Sequence, residues 1–224
     1  MQTSQPPLDL RKSAPAELPE LLRQRAGLLG AEEALVVQAR HPLAEAVESL
    51  GPGWASWPLI DGPSAWYVLL YRARPLERRL DPVRERYRQL PVLYHRAVRQ
   101  ALARDPEALA TGRRFRELLH QHLELKQTRL YPLYRRVVGE DRLPRELGYE
   151  IDGIRQGLGR WEDMLRGALE GSATRRQLDR FEIDFFHLIE HHIEREKLSL
   201  LPALELLGGS ELLACCDGLS AEHP

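Results

Sequence analysis

The segment HHIEREKLSLLP, residues 191–202, places His192 four positions before Glu196 and closes on Pro202. On a helix that spacing stacks both side chains on one face, where an imidazole and a carboxylate can reach the same metal ion. A second copy lies 70 residues earlier (192 − 122 = 70), as HQHLELKQTRLYP at 120–132. His122 answers to His192, Leu130 to Leu200 and Pro132 to Pro202, and upstream Phe115 answers to Phe185. The copies part at one chemical position: Lys126 stands where Glu196 stands. A third histidine, His95, falls in YHRAVRQALAR at 94–104, which matches EIDGIRQGLGR at 150–160 at an offset of 56 (151 − 95 = 56), with His95 meeting Ile151.

These residues sit on apolar stripes of helical period over about 83–104, 111–137, 143–170 and 173–206, separated by DP, GED and GS breakers. Four long stripes on short connections bury best as an up-down-up-down four-helix bundle. His95 is expected inward with Val92, Val98 and Leu102, and His122 with Phe115, Leu118, Leu119, Lys126, Leu130 and Leu133. His192 is expected inward with Phe181, Phe185, Leu188, Ile189, Glu196 and Ala203. The third stripe, Leu147, Ile151, Ile154, Leu158, Trp161 and Leu165, offers no ionisable side chain. An inward imidazole or carboxylate must be satisfied by a partner. For each histidine alone, a hydrogen-bonded structural role stands as the alternative to metal ligation. His187, His191 and His120 fall off these faces and read as surface or boundary residues.

Residues 1–74 have shorter rhythms. LPELLRQRAGLL at 18–29 predicts a helix, EALVVQA at 33–39 a strand and HPLAEAVESLG at 41–51 a second helix ended by Gly51. WASWPLI, the DGPS turn at 61–64 and AWYVLLYR predict a closing hairpin. The expected fold class is therefore α+β in two domains: a small α/β sandwich at 1–74, a Pro- and Arg-rich linker at 75–82, the bundle at 83–206 and a tail at 207–224.

The net charge of −1, with 29% charged residues, gives no global pull toward nucleic acid or an anionic membrane. The longest apolar run, WYVLLY at 66–71, is too short to span a bilayer, and MQTSQPPLDLRK has no apolar stretch of signal-peptide length. The expectation is a cytoplasmic protein. The two cysteines, Cys215 and Cys216, are adjacent and read as incidental thiols, since neighbours reach disulfide geometry only with strain.

With these residues in view, 83–206 resembles the hemerythrin-like, cation-binding HHE domain. The resemblance implies two oxo-bridged irons held by about five histidines and two carboxylates in a four-helix bundle. It maps the helix-one ligand to His95, the helix-two ligand to His122 and the helix-four pair to His192 and Glu196. Two positions depart: Lys126 replaces the helix-two carboxylate and Ile151 the helix-three histidine. LDLRKSAPAELP at 8–19 resembles the opening of the sulfur-carrier, TusA-like fold. Where that family places its nucleophilic cysteine stands Ala14-Pro15-Ala16, so sulfur relay lacks its thiol.

A protonated Lys126 at the depth of a bridging carboxylate would repel a dication by several kcal/mol at an effective dielectric of about 20. The expectation is a buried Lys126–Glu196 ion pair in the place of the metal. A single iron held by His95, His122, His192 and Glu196, a complete di-iron centre, and haem between inward histidines remain the other readings. The corresponding functions are a non-catalytic sensor, regulator or scaffold in a nitrogen-oxide, oxygen or iron response, or an iron protein that binds O2 or NO or repairs iron–sulfur centres. Protein partners are expected through the N-terminal domain, and homo-oligomerisation stays open.

Overall fold

ALVVQA forms an inner strand of a sheet because it is a mostly apolar run around two valines with no turn former, and all but Gln38 are buried. The computed structural model describes residues 6–31, 33–60, 66–73 and 79–216. The expected DGPS turn, residues 75–78 of the expected linker and the tail from 217 lie outside the described residues.

The strands are β1 (Leu8–Asp9), β2 (Ala34–Ala39), β3 (Trp54–Ile60) and β4 (Trp66–Arg72), in sheet order β1-β2-β4-β3. β1 pairs parallel with β2, and the other pairings are antiparallel, from Ala34 opposite Tyr71 to Ala39 opposite Trp66. Helices α1 (Leu18–Ala26) and α2 (Ala44–Glu48) cover one face, where Leu18, Leu22, Val47, Leu35, Val37 and Leu70 share one core.

Ten helices are described in all: α3 (Asp81–Leu102), α4 (Glu107–Leu125), α5 (Tyr131–Val138), α6 (Arg142–Glu170), α7 (Arg175–Phe181), α8 (His187–Arg195), α9 (Leu201–Leu207) and α10 (Gly209–Cys216) complete the set. Five-residue π-helical turns interrupt the helical runs at Lys126–Leu130, Glu182–Phe186 and Glu196–Leu200. The fold is thus α+β, a four-stranded sheet followed by a helical bundle. No single helix among the described residues is long and apolar enough to cross a membrane.

Packing divides the described residues into two units. The first joins those of 1–79 with Leu130–Pro144 and those of 195–217. In it β3 packs against α9 and the last π turn, and the Trp57 indole N–H donates to the Leu198 carbonyl at 2.5 Å. Glu140 caps the start of α6 by accepting the backbone N–H groups of Arg142 and Leu143.

The second unit is Leu80–Arg129 with Arg145–Glu194. Its core is an aromatic cluster drawn from all four long helical runs. Tyr94 of α3 stacks on Phe186 at 4.0 Å and on Trp161 of α6 at 4.8 Å, and Phe115 of α4 meets Trp161 edge-on at 5.3 Å. Thr174 starts α7 with a reciprocal capping box to Gln177.

Gly157 on α6 lets Phe185 lie against the backbone, since an added Cβ would stand 2.1 Å from its ring carbon Cδ2. Gly157→Ala should therefore lower unfolding stability by about 1–3 kcal/mol through overpacking, measured by urea denaturation, despite the better helix propensity of alanine. Burial pushes the Glu140 carboxyl up, against the lowering effect of the two backbone N–H groups it accepts. The folded state then holds this proton more tightly than the unfolded chain. Its contribution to stability should fall as pH rises from the ordinary glutamate range through the raised value. Glu140→Gln should flatten that part of the stability–pH curve.

Candidate functional site

The two π turns that begin at Lys126 and Glu196 are 70 residues apart, the offset of the sequence repeat (196 − 126 = 70). One contribution to both is readable in the chain. Pro132 and Pro202 stand within the first two positions of the helices that follow. A proline has no N–H for the carbonyl four residues back and its ring crowds that carbonyl, which weakens the local α-helical ladder. In the fourth helical run the Leu201 N–H bonds instead to Glu196 O, five residues back. The extra residue per turn re-aims the side chains at its start, a device common at functional sites.

Both residues so placed are fully buried: Lys126 and Glu196 are each 0% exposed. In the first unit, Glu196 Oε1 accepts the phenol O–H of Tyr131 on α5 at 2.9 Å. In the second unit, Lys126 Nζ lies 5.3 Å from the ring centroid of Tyr87 on α3, and the buried His122 ring meets the same tyrosine edge-on at 4.9 Å. One tyrosine thus meets side chains from successive turns of one helix, and its ring face favours positive charge at Lys126 Nζ.

His192, also buried, has its Nδ1 2.8 Å from Glu150 Oε2 on α6. The other carboxylate oxygen, Oε1, is 3.7 Å from Nδ1 of exposed His191. His187 and His120 are exposed as well.

Two expectations about faces are corrected. His95 is exposed rather than inward. The buried side of α3 is Val83, Tyr87, Leu90, Tyr94, Ala97 and Ala101, and Val92 of the expected stripe is 63% exposed. The aromatic stack wins: burying Tyr94 between Phe186 and Trp161 turns its neighbour His95 outward by about 100°. The third long helix is not purely apolar toward the site, because Glu150, one residue before buried Ile151, reaches His192. Tyr87, Tyr131 and Glu150 are polar neighbours that the expected stripes do not contain. Tyr87 has a signal in the sequence, since it stands seven before Tyr94, a heptad step on the same face.

The donor set can be compared with the two-iron centre that the family resemblance implies. Among the described residues no group of three or more His, Cys, Asp or Glu side chains is arranged to hold a metal ion. Lys126 adds a buried cation where a bridging carboxylate would stand, Ile151 supplies no donor, and His95 faces away. The residues present do not fit that centre.

Two tyrosines on α5 offer a controlled contrast. Tyr131→Phe removes a hydrogen bond to a buried carboxylate and should cost about 1.5–3 kcal/mol in unfolding stability. The buried Tyr134 Oη has no hydrogen-bond partner among the described residues, and burial raises its pKa well above the ordinary phenol value. Tyr134→Phe should be neutral or stabilising in the same measurement, since it removes an unsatisfied group.

Comparison with known proteins agrees with the helical architecture. The family model described as hemerythrin HHE cation binding domain matches residues 85–204, more than half of the chain. No curated protein and no solved structure matches. Domains of this family bind metal ions, usually iron. On the strength of the match across all four long helical runs, the chain belongs to the hemerythrin HHE cation-binding domain family.

Proposed function

We propose that this protein is a non-catalytic regulatory or scaffold member of the family, in which a Lys126–Glu196 ion pair takes the place of a complete di-iron centre. The observation that carries the reading is the burial of Lys126 at 0% exposure, at the repeat position of an equally buried Glu196. A fully buried ammonium is costly unless a counter-charge accompanies it, and the repeat supplies one at the matching turn of the fourth helical run. The pair need add no stability over hydrocarbon; its role is to close the centre to a dication. The N-terminal domain, TusA-like in its opening residues but without the thiol, is then the surface for protein partners. The setting is a cytoplasmic response to nitrogen oxides, oxygen or iron.

The second reading, an iron protein that binds O2 or NO or repairs iron–sulfur centres, is favoured by the cation-binding character of the family. Haem is the minor form of the same idea and would show a Soret band.

Elemental analysis and the absorption spectrum of the purified protein separate the two. The proposal expects no two-iron stoichiometry and no near-ultraviolet charge-transfer bands. Lys126→Glu with Ile151→His should raise iron occupancy and bring those bands in. Lys126→Ala alone should lower unfolding stability by about 3–5 kcal/mol, the penalty for leaving one member of a buried pair uncompensated. Two irons per wild-type chain, or a Lys126→Ala variant as stable as wild type, would overturn the reading.

A further inference from the structure

We infer that Glu150 is the positioning residue of the buried site: it takes the Nδ1 proton of His192 in a hydrogen bond and leaves Nε2 as an acceptor inside the bundle. The inference rests on the geometry of one carboxylate and two adjacent imidazoles, and stands whether or not Lys126 and Glu196 pair. At 2.8 Å the contact between His192 Nδ1 and Glu150 Oε2 is a hydrogen bond, and an ionised carboxylate can only accept. The proton of this contact therefore lies on Nδ1, and a ring that carries this proton alone keeps Nε2 as an acceptor. With His192 1% exposed, Nε2 has no solvent to choose a tautomer for it. A free imidazole would favour the other tautomer, so the ring state is imposed by the helix opposite.

Glu150 is suited to this task by its own position. Its side chain is 15% exposed, between the bulk and the core, and its second oxygen faces exposed His191 at 3.7 Å. The carboxylate keeps contact with water while holding a buried ring. The consequence is a division of labour between the two buried histidines. His122 packs on Tyr87, whereas His192 is the one built to present a lone pair to an electrophile, either an acidic proton donor or a cation. In a unit that already buries the Lys126 side chain, an acceptor nitrogen also avoids a second inward-facing donor.

The test is the nitrogen NMR of selectively 15N-labelled histidine in the full chain, with His192 assigned by His192→Gln. Wild type should show a protonated, pyrrole-type Nδ1 and a pyridine-type Nε2. Glu150→Gln, which still offers an amide oxygen, should keep that pattern, and so should His191→Ala. Glu150→Leu should convert His192 to the Nε2–H tautomer or to exchange between the two, while the helical circular dichroism stays that of wild type. A pyridine-type Nδ1 in wild type, or pyrrole-type signals from both ring nitrogens, overturns the inference without any variant. A folded Glu150→Leu protein with the wild-type pattern overturns it as well.

Discussion

Charge inside an apolar bundle is the constraint to which most of this molecule answers. The second unit buries a lysine and two histidines and the first buries Glu196, and each unit must supply partners for them because water is not there to do so. The partners come from several helical runs: Tyr87 from α3, Glu150 from α6, and Tyr131 from the helix that continues the second run. The aromatic cluster around Tyr94 and Trp161 forms the dry counterpart, and its demand for burial is what turns His95 to the surface. Polar satisfaction and aromatic packing thus compete for the single inward stripe of α3.

The repeat shows how sequence produces that placement. Proline at 132 and at 202 disfavours a regular α-helical ladder, a π turn precedes each, and the turn begins at the charged residue. The two charges are opposite in sign, yet the backbone device around them is the same. Substitution at the side chain has left the helix geometry of both copies in step.

Much of this is legible in the amino-acid sequence alone. Period and breakers place the long helices within a few residues, with α6 observed at Arg142–Glu170 against an expected 143–170, and the pairing of β3 with β4 follows from strand composition and turn chemistry. The burial of His122, Lys126, His192 and Glu196 follows from their stripes. The rest is hidden for physical reasons. On α3 the expected stripe of Val92, Val98 and Leu102 competes with the one at Val83, Tyr87, Leu90, Tyr94, Ala97 and Ala101, and the stacking of Tyr94 goes with the second. Glu150 lies beside its stripe, and a long side chain reaches across a helix interface where a pattern of Cα positions does not. The π turns shift the register of everything beyond them, which a fixed period of 3.6 residues does not represent.

The proline at 202 has one more effect, at the far side of the same turn. The carbonyl it deprives of a helical partner is that of Leu198, and this is the group that accepts the Trp57 indole N–H. The sheet of the first half of the chain is thereby fastened to backbone that the last long helical run has left open. Two segments 141 residues apart share one polar contact, backed by the packing of β3 on α9. In hydrogen-exchange terms, opening of β3 and opening of the turn that carries Glu196 are coupled through this contact and the packing around it. The N-terminal strands are therefore more than an appendage: the local stability of the Glu196 turn is partly theirs.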